Sequence, residues 1–318
     1  MSSLRQIRRR IRSVENTKKM TRAMEMVAAS KLKKLQDLLR QSDRYIAELG
    51  RILQTLVREK PLAHPLLEKR LEPKSTLAFL IASDTGLCGS YNTNIIERTN
   101  RFILSSTKSI HFIAIGKQGA TYLKRAKQTV SNELSIPRPQ EIDQTIREIT
   151  QIAKDQFTSG EADQVIFIYT KVISLGSLKP TVEQLFPITS TTAVPGTAGT
   201  GSADSVNLSR NVPGTVNQSR NLSRPEPVPQ EVDYIIEPSL DSVLDIMLPE
   251  FIEAEIGQFV KHSLVAEQAS RMMAMRQATD NAKEMIDSLT LLRNKARQAS
   301  ITKELIEVVS GSRALQAK

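Results

Sequence analysis

The chain has 318 residues, 40% hydrophobic and 25% charged, with only 4% aromatic residues and no Trp. That is length enough for one or two packed domains, in which long helices rather than a compact sandwich carry much of the chain; with no run of about 18 apolar residues, nothing reads as a membrane span. The formal charge of +10 is held by residues 1–58, which carry 15 Lys and Arg against 5 Asp and Glu, and a single cysteine, Cys88, excludes an internal disulfide or a thiolate metal cluster.

The N-terminus, MSSLRQIRRRIRSVEN, is basic but lacks the apolar stretch of a secretory signal. Its amphipathic pattern continues past residue 30 with acidic residues in it, unlike a transit peptide, so the chain reads as cytosolic. From Ser3 to Glu59 there is no Pro and one Gly, Gly50. Leu4, Ile7, Ile11 and Val14 are spaced 3, 4 and 3, as a helix seam requires. The seam then meets Lys18 and Thr21, shifts, and resumes at Met24, Val27, Leu32, Leu35 and Leu39. Such a helix is on the order of 80 Å long at 1.5 Å per residue, far more than a globular domain needs. Within it TRAMEMVAASK (21–31) is helix-forming, yet its apolar residues are small or flexible, a poor zipper and a poor core. Arg5, Arg8, Arg9, Arg10 and Arg12 interleave with the seam. Without a zinc-finger, RNA-recognition or helix-turn-helix pattern, they suit either a nucleic acid or an anionic protein partner, or simply a solvated face.

The middle alternates β and α. TLAFLIAS (76–83), IHFIAIG (110–116) and VIFIYTK (165–171) are short apolar runs suited to strands buried on both faces. Helical patterns lie near 93–106, 118–128 and 139–157, so the order βαβαβ predicts a small parallel sheet. SDTGLCGSYNTN (83–94) stands where a phosphate loop would stand, but it fits neither glycine-rich fingerprint and has no Lys placed for a phosphate. Its glycines are expected to serve the turn itself, and Cys88 to be a small residue in that turn. His64, His111 and His262 share no ligand spacing, and no catalytic constellation emerges.

Residues 189–230 contain VPGT and NLSR twice each, with Ser, Thr, Gly, Pro and Asn dominant, and read as a disordered low-complexity insert. After a return segment, 231–248, a second long helix is expected over 249–318. In it Ala282, Met285, Leu289, Leu292, Ala296 and Ala299 are spaced 3, 4, 3, 4 and 3. The fold expected is α/β: a long antiparallel coiled coil of the terminal helices, with residues 1–60 as one strand of the shaft, plus a small Rossmann-like parallel-sheet domain over 74–188.

IRSVENTKKMTRAMEMVAASKLKKLQ (11–36), SDTGLCGSYNTNI (83–95), ASRMMAMRQATDNAKEMI (269–286) and NKARQASITKELIEVVSG (294–311) resemble the gamma subunits of F-type ATP synthases. The likeness covers all but the insert, and ITKELIEVVSGSRA (301–314) is similar to the family's C-terminal motif, with Ser312 where Ala is usual. It implies a non-catalytic rotor of the central stalk, with no cofactor and no metal. The shaft would stand inside three alpha and three beta subunits, coupling ion-driven rotation to the beta catalytic sites. The sheet domain would sit with an epsilon subunit on the membrane c ring, at the cytoplasmic face of a bacterial inner membrane, without inserting into it or binding nucleic acid. By position, the resemblance puts Arg297, Gln298, Thr302 and Glu304 at a catch loop of beta, and Met24, Lys31 and Lys33 at its acidic lever. Soft Met and Ala surfaces would then keep a turning shaft from locking onto one subunit. The insert falls near the extra segment of photosynthetic relatives. It lacks their cysteine pair, which excludes thiol switching by that route and leaves a passive loop as the expectation.

Overall fold

A computed structural model describes residues 4–59, 66, 74–188 and 240–316. The insert 189–230 and the first part of the return segment, 231–239, lie outside the described residues. Two long helices, α1 (Leu4–Glu59) and α5 (Leu240–Gln316), pack along one another. Between them in sequence come β1 (Ser75–Ile81), α2 (Tyr91–Ser105), β2 (Ser109–Ile115), α3 (Lys117–Arg125), β3 (Thr129–Leu134), α4 (Ile142–Thr158), β4 (Gln164–Ser174) and β5 (Ser177–Phe186).

The α1 seam does not shift where its hydrophobic residues run out. Ile7, Ile11, Val14, Lys18, Thr21, Glu25, Ala28, Leu32, Leu35 and Leu39 are all buried or half-buried, with spacings alternating between 4 and 3. A strict seven-residue period therefore holds through the polar stretch, as a supercoiled helix pair demands. Met24 and Val27, expected on the seam, instead face outward at 37% and 57% exposure. The same correction applies to α5. Ala282, Leu289 and Ala296 face inward as expected, but Ile286, Arg293 and Ser300 replace Met285, Leu292 and Ala299 on the inner side. A polar rung links the helices where Thr21 Oγ1 meets Thr279 Oγ1 at 2.8 Å. From that level, Leu4 lies opposite about residue 296, so α5 continues roughly 30 Å beyond the described start of α1 as a single helix.

The sheet has the order β3-β2-β1-β4-β5. The first four strands are parallel, and β5 joins β4 antiparallel, so the sheet is mixed rather than wholly parallel. Neither edge strand was expected. TVSNEL (β3) has no apolar run and is mostly exposed, and β5 carries Pro180, which a sheet tolerates at an edge. Alternation along the central strands divides the core. Leu77, Phe79, Ile81, Ile113, Ile115, Val165 and Phe167 face α4, α5 and the Leu32–Leu39 stretch of α1. Ala78, Leu80, Ala82, Phe112, Ala114, Ile166 and Ile168 face α2 and α3. Helix α5 starts at Leu240, before the expected 249, and continues through Pro249.

Candidate functional site

The loop after β1 shows why SDTGLCGS resembles a phosphate loop only in part. Ser83 and Asn92 tie its ends: Ser83 N–H donates to Asn92 Oδ1 at 3.2 Å, and Asn92 Nδ2 donates to Cys88 Sγ at 3.2 Å. Asp84 spans two further elements, accepting the N–H of Lys117 at the start of α3 (3.0 Å) and that of Ile136 after β3 (3.3 Å). Gly89 has φ +58°, so this glycine serves the turn; a Cβ there would meet the Ala274 side chain of α5 only at ordinary contact distance, 3.5 Å.

Open α/β sheets hold ligands in the crevice beyond the carboxyl ends of their strands. Here α5 fills that crevice with protein. Ala266 packs with Cys88 and Tyr91, Ser263 Oγ accepts the N–H of Thr170 (3.3 Å), and His262 Nδ1 accepts that of Val172 (3.3 Å). Burial lowers the His262 pKa, which suits an acceptor nitrogen, and the same burial, aided by the Glu267 carboxylate, raises that of the Tyr91 phenol. No group of three or more His, Cys, Asp or Glu that could hold a metal occurs among the described residues.

Glu267 and Arg271 form the joint between the loop and the shaft. Arg271 Nη2 lies 2.6 Å from Glu267 Oε1 and 3.0 Å from Thr85 Oγ1, with the carbonyls of Thr85 and Gly86 at 3.4 and 3.5 Å. Burial raises the Glu267 pKa and Asp84 adds to it, while Arg271 and, from α1, Lys31 oppose that rise. Nothing in the sequence marks this pair except opposite charges four residues apart, beside a run that is otherwise buried.

A second polar group lies where α5 crosses β4 and β5. Tyr169 Oη donates to Glu183 Oε2 (2.7 Å), and Lys171 Nζ stands 3.3 Å from Glu183 Oε1. Glu255 is buried beside them; desolvation first and Glu183 second push its pKa up to about 8, against a smaller pull from Lys171. The folded chain thus keeps this proton between about pH 4.5 and 8 while the unfolded chain releases it. Stability is full below that window, falls as pH rises through it, and is level above it. Glu255→Gln should remove this slope, so its melting temperature should exceed the parent's by several degrees at pH 8 and by little at pH 5. Equal gains at both pH values would contradict the assignment.

The residues expected to meet other subunits fall at two stations. Arg297, Gln298, Thr302 and Glu304 are all exposed and lie together on α5 where it leaves α1. Thr302 Oγ1 donates back to the Gln298 carbonyl (2.9 Å), and Ser300 Oγ donates to Glu304 (3.3 Å). Met24, Lys31 and Lys33 are exposed on α1, about 30–45 Å down the axis from Arg297 at 1.5 Å per residue. Met24 and Lys31, seven residues apart, share one flank of the coil; Lys33 is turned roughly 200° from Lys31. Around them Met20, Met26 and Val27 are exposed on α1, and Met273, Met285, Leu291 and Leu292 on α5. The tip adds Ile301, Leu305, Ile306, Val308 and Val309, and every residue of 301–310 is exposed. None of the described helices is long and apolar enough to cross a membrane.

Comparison with known proteins gives these features a context. The family model described as ATP synthase matches residues 3–315. The ATP synthase gamma chain of Dehalococcoides mccartyi is 37% identical over 321 residues, spanning 99% of this chain and 100% of that one. The gamma chain of Desulfitobacterium hafniense is 35% identical over 319 residues, with 99% and 100% covered. Among solved structures, a chain of the Tetrahymena thermophila mitochondrial ATP synthase central stalk and c-ring has a TM-score of 0.54 at 21% identity, covering 81% of this chain and 99% of its own. A chain of the Euglena gracilis mitochondrial ATP synthase, from an assembly of OSCP, F1 and c-ring, has a TM-score of 0.61 at 14% identity, covering 99% and 95%. These two structures share the fold.

Proposed function

Because the chain belongs to the ATP synthase gamma-chain family and is a non-catalytic rotor subunit of the central stalk, we propose that its helix pair stands inside a ring of three alpha and three beta subunits. The observation that carries this reading is the outer surface of the shaft. Exposed Met, Leu, Ile and Val side chains line a two-helix rod and its single-helix tip, and none of the described residues covers them. An apolar surface of that extent calls for surrounding protein, and flexible Met side chains suit contact with several partners in turn.

The sheet domain then stands at the membrane end, on the c ring with an epsilon subunit, at the cytoplasmic face of the inner membrane. Arg297, Gln298, Thr302 and Glu304 engage a catch loop of beta, while Met24, Lys31 and Lys33 meet its acidic lever. As ion flow turns the ring, the shaft presents a different face to each beta subunit and favours a different conformation in each. It biases equilibria at sites on other chains and performs no chemistry of its own.

The test is ATP hydrolysis by the organism's alpha and beta subunits, mixed with and without this chain. Co-elution at one copy per ring, with turnover that depends on the chain, is the expected result. A chain that neither joins the ring nor alters its turnover would overturn the reading, and salt-dependent nucleic-acid binding by residues 1–58 would then become the better account. Deletion of 301–318 adds a sharper expectation. Since 301–310 are exposed throughout, the melting temperature of the chain should move by no more than about 2 °C, as for a surface change. Turnover of the assembled ring should nevertheless fall.

A further inference from the structure

Helix α5 closes the crevice beyond the sheet on one side only. In the order β3-β2-β1-β4-β5 the chain builds outward in opposite directions from β1 and β4, and the carboxyl ends of two such strands are where open α/β sheets hold ligands. On the side toward β5 a cavity of about 180 Å³ remains there. It is bounded by the start of α2, the end of β4, the β4–β5 turn and the part of α5 that carries Ser270 and Met273.

Five side chains around it are polar and uncharged: Ser90, Tyr91, Asn94, Thr170 and Ser270. Asn94 Nδ2 donates to Ser90 Oγ (3.2 Å), which leaves the Ser90 proton free for another acceptor. Burial raises the pKa of Tyr91, so its phenol stays protonated. Thr170 is 2% exposed, and among the described residues its Oγ1 is the one buried side-chain nitrogen or oxygen without a hydrogen-bond partner, although the Tyr91 phenol stands near it. Pairing of β4 with β1 has ended at Ile168, and the residue of β5 opposite Thr170 is Pro180, which has no N–H to offer. Folded proteins rarely leave such a hydroxyl unmet, so one in a cavity wall points to a guest.

The rest of the lining is apolar, with Leu178, Pro180 and the Met273 thioether. No residue lining the cavity is charged, and the Glu267 carboxylate that acts on Tyr91 makes the place less favourable still for an anion. Size narrows the guest further. A cavity of about 150 Å³ takes benzene, so this one suits a compact molecule of roughly six to eight heavy atoms.

We propose that this cavity is a binding site for a small uncharged hydroxylated ring, a phenol or a cyclic alcohol, whose hydroxyl meets Thr170 while its ring lies against Leu178, Pro180 and Met273. A ring also suits the polarisable thioether of Met273. Water alone would satisfy Thr170 but would gain nothing from the apolar lining. The site belongs to the sheet domain and does not depend on the rotor reading.

The test uses the full chain with isotope-labelled Met and Thr methyl groups, titrated with phenol and with cyclohexanol and followed by NMR. The methyls of Met273 and Thr170 should shift and saturate near about 1 mM, while those of Met20 and Met26, exposed on α1, should stay. Saturation at the lower concentration by one of the two identifies the ring as aromatic or saturated. Benzene and cyclohexane, which lack the hydroxyl, should bind about fivefold more weakly, and Thr170→Val should weaken both alcohols by the same factor. The melting temperature of that variant should hold or rise, because the hydroxyl it loses has no partner among the described residues. Undiminished binding to Thr170→Val overturns the proposal. So does a cavity that holds water only, in which neither alcohol moves these methyls, and so does tighter binding of inorganic phosphate at the same place. If Thr170→Val does not fold, Met273→Ala, at a 40% exposed position, takes its role: binding about threefold weaker at the Thr170 methyl supports the site, and undiminished binding overturns it.

Discussion

Replacing Phe259 by Ala should lower the unfolding free energy of the chain by about 3–5 kcal/mol, the usual cost of deleting a fully buried aromatic side chain. Phe259 is 1% exposed, and its ring lies 5.1 Å from that of Phe167 and 4.7 Å from that of Tyr169. Phe167 in turn stacks on Phe79 at 4.6 Å, so the cluster runs from the shaft helix to the middle of the sheet. The cavity would open at the seam between the two bodies, where neither the long helix nor the five-stranded sheet can collapse freely. Phe259→Leu fills much of the same volume and should cost less than half as much. Urea unfolding of the parent and both variants measures the difference. A loss under about 1 kcal/mol for the Ala variant would mean that sheet and shaft are not one cooperative unit.

The second large effect is expected to leave stability alone. Arg297→Glu changes an exposed residue for which no ion pair is found among the described residues, so the isolated chain should unfold within about 0.5 kcal/mol of the parent. In the assembled ring, the reversal places a negative charge where a hydrogen-bonding cation is expected to meet beta. Losing one side of such a pair at an interface costs on the order of 2–5 kcal/mol, and turnover should fall at least about tenfold. Arg297→Lys keeps the charge but not the fork and should fall between. Unchanged turnover in Arg297→Glu would remove this residue from the contact.

The parts of the fold that showed in the sequence are those whose own residues specify them. TLAFLIAS, IHFIAIG and VIFIYTK each bury both faces, so their apolar runs announce β1, β2 and β4 without help from the rest of the chain. TVSNEL and SLKPTVEQLF do not, because edge strands take their identity from the neighbour they pair with. The coil was legible as a coil but not in its register. Following apolar residues through TRAMEM leads to Met24 and Val27, whereas the partner helix holds the seven-residue period through Lys18, Thr21 and Glu25. Of the candidate site, Arg297, Gln298, Thr302, Glu304, Met24, Lys31 and Lys33 came from resemblance, since on pattern alone the polar ones are a solvated helix face and Met24 a residue of the seam. The Arg271 joint was hidden for a plainer reason: Thr85 stands 186 residues away in sequence, and only the folded chain brings the two together.

The projection of α5 beyond α1 has a mechanical consequence. A sideways push turns a rod in proportion to the arm on which it acts. A lone helix offers an arm of about 5–6 Å, while two helices side by side offer nearly twice that. The same push therefore delivers about half the turning moment on residues 301–316 that it delivers on the paired section around Met24 and Lys31. The slender end is suited to centring the axle and registering its angle, and the leverage belongs to the thicker section below.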